Sequence, residues 1–202
     1  MKRNLLLFLI LPVLAMLGFR SGNEPLSIGS AMPKGDIVLK DISGKDITLN
    51  NARKANGLLV MFSCNTCPVV INNAERANAV AKFALEHNVG VIFLNSNEAN
   101  RSGSESIDAM KEYAAKESFS WFYAVDQKSE LADAFGATKT PECFLFSKDG
   151  KLVYHGAIDD SPGKADNVSR KHLQEAITEV SGGKEVSIKT SKSVGCSIKR
   201  LG

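Results

Sequence analysis

The apolar run Leu58-Leu59-Val60-Met61-Phe62 reads as a buried strand, and two cysteines, Cys64 and Cys67, follow it at once. Beyond Pro68, Val70, Ala74, Ala77, Val80 (or Ala81) and Ala84 recur at three- and four-residue steps. That spacing predicts a helix to about His87, stopped by Asn88 and Gly90. Val89 to Asn95 is a continuous apolar run, the pattern of a strand covered on both faces. A polar loop, Ser96 to Gly103, leads to a helix carrying Ile107, Met110 and Ala114, and Trp121 to Val125 predicts a short aromatic strand. Asp126 is placed to cap a short helix through Leu131 and Phe135, with Gly136 as its stop. Cys143 to Phe146 and Leu152 to His155 predict strands joined by the turn Lys148-Asp149-Gly150-Lys151. A last helix shows Leu173, Ala176, Ile177 and Val180 on one face.

Ahead of the first cysteine, Asp36 to Leu39 and Asp46 to Leu49 alternate around a turn at Ile42–Lys45, the signature of a β-hairpin. Asn51 to Gly57 reads as a polar connection. The tail, residues 184–202, is polar and has no period long enough for an element. The order of strands and helices implies one mixed sheet with helices on both faces, an α/β fold.

Lys2 and Arg3 precede an apolar run from Leu5 to Leu17 broken only by Pro12. This is the n-region and h-region of a secretory signal, and it is short for a membrane span. Residues 1–22 are therefore expected to be a signal peptide or N-terminal anchor, with 23–202 as one exported domain, periplasmic or secreted. No clean pair of small residues marks a cleavage site, so the segment is also a candidate membrane tether. With Lys2, Arg3 and Arg20 set aside, the basic count falls from 25 to 22, equal to the 22 acidic residues. A neutral domain offers no electrostatic case for nucleic acid.

A Cys-x-x-Cys between a strand and a helix sits where helix N–H groups favour negative charge. That position predicts a lowered pKa for Cys64, the attacking thiol, with Cys67 one turn on as its resolving partner. A disulfide across two intervening residues closes a short loop and adds little stability, which favours redox work over a structural bridge. Cys143, Cys196 and the three histidines supply no zinc-like spacing.

Four stretches together resemble the thioredoxin-like superfamily, in its exported redoxin and thiol-specific-antioxidant-like branch. They are Cys64-Asn65-Thr66-Cys67-Pro68, Lys139-Thr140-Pro141, the hairpin Phe144 to Tyr154, and Gly156-Ala157-Ile158-Asp159-Asp160. The tail motif Val194-Gly195-Cys196-Ser197-Ile198-Lys199 is similar to a C-terminal signature in part of that branch. The resemblance implies a thioredoxin-like fold, a central mixed β-sheet flanked by helices, here with an N-terminal β-hairpin extension. It also implies a cis bond at Thr140-Pro141, in a loop that lies against the dithiol and pairs with the substrate chain.

The implied activity is thiol–disulfide oxidoreduction. It needs no cofactor and no metal; its partners are protein disulfides and a thiol electron donor. Ser63 stands where thioredoxin keeps a tryptophan, and Leu58 where it keeps a buried aspartate, so the proton-transfer role must fall to another group or to water. The uncharged pair Asn65-Thr66 points to a reductant or isomerase. Cys64–Cys67 is the favoured disulfide, with Cys143 read as a buried inert thiol and Cys196 as a candidate accessory thiol; a mobile tail would let Cys196 exchange with that disulfide, and a docked tail or a Cys143–Cys196 bridge stays open. His155 is expected on the strand surface without a carboxylate partner.

Two alternatives stay open. A thiol peroxidase would resemble peroxiredoxins in Pro-x-x-x-Thr-x-x-Cys, yet counting back from Cys64 gives Gly57 and Met61, and from Cys67 gives Val60 and Cys64. A copper chaperone would use soft thiolates on this fold, but such proteins keep three residues between their cysteines.

Overall fold

The computed structural model describes residues 24–201; the expected leader at 1–22 lies outside them. Among the described residues no helix is long and apolar enough to cross a membrane. The hairpin is β1 (Leu39–Asp41) and β2 (Asp46–Ile47), followed by α1 (Leu49–Ala52), β3 (Gly57–Ser63), α2 (Pro68–Asn72), α3 (Ala74–Glu86) and β4 (Val89–Asn95). Then come α4 (Ile107–Lys116), β5 (Phe122–Val125), α5 (Glu130–Phe135), β6 (Lys139–Thr140), β7 (Glu142–Ser147), β8 (Leu152–Gly156), α6 (His172–Ser181) and β9 (Cys196–Ser197).

The main sheet has the order β2-β1-β5-β4-β3-β7-β8. Its centre, β5, β4 and β3, is parallel, and β1, β7 and β8 join antiparallel. The unbroken apolar runs occupy the middle because both of their faces are covered. Leu59 and Met61 of β3, Val91 and Phe93 of β4 and Leu145 of β7 face one core with α3, α4 and α6. Leu58, Val60, Phe62, Ile92, Leu94, Phe144 and Phe146 face the other, with α1 and α5. The rings of Phe62, Phe135 and Phe144 meet edge to face at 5.2–5.6 Å, the geometry that aromatic quadrupoles prefer.

Three local outcomes differ from the sequence reading. Helix α1 takes up the end of the expected second hairpin strand and the start of the polar connection, because Thr48 Oγ1 accepts the Asn51 N–H at 3.1 Å and Leu49 and Ala52 are buried. The single helix expected after Cys67 is two, α2 and α3, meeting at Asn73. The Asn73 amide donates to the Val69 carbonyl at 2.7 Å and to the Pro162 carbonyl at 2.6 Å, and side-chain bonding of this kind interrupts a helix. Asp126 does hold α5, accepting the Leu131 and Ala132 N–H groups at 2.8 and 2.9 Å and the Ser96 hydroxyl at 2.7 Å.

The third difference is the tail. No element was expected there, yet β9 pairs antiparallel with β6 in a second small sheet, Thr140 opposite Cys196 and Lys139 opposite Ser197. Ser191 Oγ accepts the Ala157 N–H at 2.9 Å and lies 2.7 Å from the Tyr154 hydroxyl. Ile198 is buried in the core that holds α5. Further on, Lys199 N–H donates to Asn97 Oδ1 at 2.8 Å, and Arg200 reaches Asp133 and the Ala137 carbonyl, each at 2.7 Å.

Candidate active site

Cys64 ends the approach from β3 and Cys67 caps α2; they are 1% and 3% exposed. The pairing differs from the expected one. Cys67 is joined to Cys196, with Cα atoms 6.0 Å apart, and Cys64 is a free thiol. The strand pairing of β9 with β6 explains the choice, because it sets Cys196 opposite Thr140, whose carbonyl oxygen lies 3.4 Å from the Cys67 sulfur. Cys143, the other free thiol, is fully buried, and burial pushes its pKa far up, as suits an inert core residue.

Cys64 Sγ lies 3.2 Å from Thr140 Oγ1, so Thr140 touches Cys64 through its hydroxyl and neighbours Cys67 through its carbonyl. The Thr140–Pro141 peptide bond is cis. The expected lowering of the Cys64 pKa is not what the site gives. Burial raises it most, the Thr140 hydroxyl opposes that, the charge of Glu105 raises it further, and the Cys67 and Thr66 amides pull down. Desolvation outweighs the amide field in a site this closed.

Glu105 is the residue that the sequence reading missed. It is fully buried in the bend before α4. Its Oε2 accepts the Asn65 N–H at 3.0 Å and the Asn95 amide at 2.6 Å, and its Oε1 accepts the Thr66 hydroxyl at 2.8 Å. Tyr123 OH continues the network by donating to Asn65 Oδ1 at 2.8 Å. Both intervening residues of the Cys-x-x-Cys are thus tied to one carboxylate. Among the described residues no cation pairs with it. Leu58, at the position where an aspartate was looked for, faces the opposite core, so the buried acid enters from another element. The only signal in the sequence was an acidic residue in a polar run.

A second buried carboxylate braces the proline loop. Glu142 Oε2 accepts the Thr138 and Lys139 N–H groups at 2.8 and 3.0 Å, and its Oε1 meets His155 Nε2 at 2.7 Å. His155 therefore has the carboxylate partner that was not expected. The hairpin register, with Phe144 opposite His155, puts both side chains on one face and was a usable clue. The backbone of His155 also binds the tail, donating to the Lys189 carbonyl at 2.9 Å and accepting from the Ser191 N–H at 3.0 Å. Among the described residues no group of three His, Cys, Asp or Glu side chains is placed to hold a metal ion.

The Redoxin family pattern matches residues 27–171. Thiol-disulfide oxidoreductase ResA of Bacillus cereus is 26% identical over 162 residues, covering 76% of this chain and 88% of the relative. A hypothetical protein of Sinorhizobium meliloti, 31% identical, superposes with a TM-score of 0.80 over 88% of this chain and 97% of its own. A secreted Mycobacterium tuberculosis disulfide oxidoreductase homologous to Escherichia coli DsbE shares the fold at a TM-score of 0.52, with 11% identity over 74% of this chain and 97% of that one. The thioredoxin-like fold expected from the sequence agrees with this neighbour, and the expected thiol–disulfide oxidoreductase function agrees with the Bacillus cereus relative. With the match covering most of its length and its cysteines gathered around one Thr-Pro loop, the chain belongs to the Redoxin family.

Proposed function

We propose that the protein exchanges disulfides with other proteins outside the cytoplasm, using Cys64 and Cys67 as the reacting pair. Thr140 and Pro141 form the surface that receives the substrate chain, and Cys196 is an accessory thiol. The observation that carries this reading is a disulfide at Cys67 beside a free thiol at Cys64, both against Thr140. A thiol next to a disulfide is the arrangement that exchange chemistry requires. A disulfide in the native fold also suits an oxidising compartment, in keeping with the leader read at 1–22.

The peroxidase alternative gains no support from the site. A peroxidatic thiol works as a stabilised thiolate, and the charged side chain acting on Cys64 is an anion, Glu105. Copper binding would need two thiolates at the site, whereas two of its three cysteines are joined to each other. The test is trapping. Cys67→Ser is expected to accumulate mixed disulfides with substrate proteins through Cys64, and Cys64→Ser is not. Reversal of that pattern under unreduced peptide mapping would reassign the attacking thiol.

A further inference from the structure

The edge of β6 is occupied by the chain's own tail. Cys196 stands opposite Thr140, Ser197 opposite Lys139, and the Ile198 N–H donates to the Thr138 carbonyl at 3.0 Å. The residue before the cysteine is fixed by space: a Cβ on Gly195 would lie 2.0 Å from the Thr140 carbonyl oxygen, and backbone cannot give way there. Upstream, a Cβ on Gly156 would lie 2.3 Å from Ser191 Oγ and 2.6 Å from the Ser191 carbonyl oxygen, at a φ of +152° that disfavours other residues. The tail is thus seated at both ends of its run by missing side chains.

We propose that the Gly195-Cys196 strand is the site's resident substrate, and that another chain enters only by replacing it in the same register. This rests on the oxidoreductase reading and names its substrate class: an extended polypeptide strand, paired antiparallel to Lys139–Thr140, carrying a cysteine preceded by glycine. Strand addition to a sheet edge supplies the main-chain hydrogen bonds, and the close approach at Thr140 supplies the selection.

Opening the site is itself an exchange. The Cys64 thiolate attacks Cys67 Sγ, the Cys67–Cys196 bond breaks, and a Cys64–Cys67 bond forms. Cys196 leaves as a thiolate and takes up the proton that Cys64 gave up. One disulfide is exchanged for another, so no external oxidant or reductant is consumed. The freed tail then uncovers β6, where the thiolate of an incoming cysteine attacks Cys64 Sγ: the Cys64–Cys67 bond breaks, a mixed disulfide between Cys64 and the incoming chain forms, and Cys67 leaves as a thiolate that takes up the incoming thiol's proton.

The experiment uses the full chain with Cys196→Ser, reduced at Cys64 and Cys67. The probes are synthetic peptides spanning Ser191–Lys199, their cysteine activated as a mixed disulfide with thionitrobenzoate, in the natural sequence and with the glycine replaced by valine. The natural peptide is expected to be captured faster by about tenfold or more, as a blocked strand edge would dictate. Equal rates for the two peptides, with both still reduced by the enzyme, would overturn the inference and leave the oxidoreductase reading intact. Failure to reduce either peptide or any small disulfide would overturn both. In parallel, Gly195→Val in the otherwise native chain is expected to oxidise to Cys64–Cys67 instead of Cys67–Cys196. A Cys67–Cys196 bond persisting in that variant would count against the seat described.

Discussion

Burial does most to raise the Cys64 pKa, and the negative charge of Glu105 adds to it. Removing the charge while keeping the shape, as Glu105→Gln does, is expected to lower the Cys64 pKa. The ultraviolet absorbance of the thiolate, followed against pH, checks this: its midpoint lies above the ordinary thiol value in the native protein and falls in the variant. An unchanged midpoint would mean that burial alone sets the thiol. The sign has a stability side as well. A folded-state pKa above the unfolded value stabilises the protein below the unfolded pKa, and that contribution is lost as pH rises through the folded one. The cysteines were legible in the sequence at once, since Cys-x-x-Cys after a buried strand is a local pattern. Glu105 was not, because its role depends on a bend that brings it beneath Asn65 and Thr66 from forty and thirty-nine positions away.

Elements whose apolar residues repeat were readable, and those held by single polar contacts were not. The α3 positions Ala77, Val80, Ala81 and Ala84 and the α6 positions Leu173, Ala176 and Ile177 are buried as their spacing implied. The strand β9, two residues long, has no period to read; its pairing with β6 depends on the close approach of Gly195 to the Thr140 carbonyl, and it brings Cys196 to Cys67. The proline loop likewise depends on Glu142, which accepts two of its N–H groups. Glu142→Ala strands those donors and the His155 ring, and is expected to cost about 2–4 kcal/mol. Urea denaturation measures the cost. A loss within a few tenths of a kcal/mol of zero would show that solvent replaces the carboxylate.

For the whole molecule, the Cys67–Cys196 bond spans a sequence separation of 129. Chain-entropy accounting for a loop of that length gives about 5 kcal/mol, far more than a Cys-x-x-Cys bridge contributes. Reduction is therefore expected to lower the melting temperature by about 10 °C or more, read by calorimetry with and without reductant. A shift of only one or two degrees would place the stability elsewhere. A mixed sheet covered by helices on both faces was implied by the succession of strands and helices, whereas its strand order was not, and the long cross-link was one of several pairings left open, because four cysteines alone do not choose their partners.

The same bond alters what a cut in the chain would do. Lys184 and Glu185 are exposed just after α6, and the segment beyond them is anchored by β9, Ile198 and Cys196. A protease severing the backbone there would release nothing: the fragment would stay attached through sulfur, and the latch would become a mixed disulfide between two polypeptides. The nicked protein would then be a stored enzyme–peptide adduct, with the thiol that can discharge it, Cys64, already in place beside the bond.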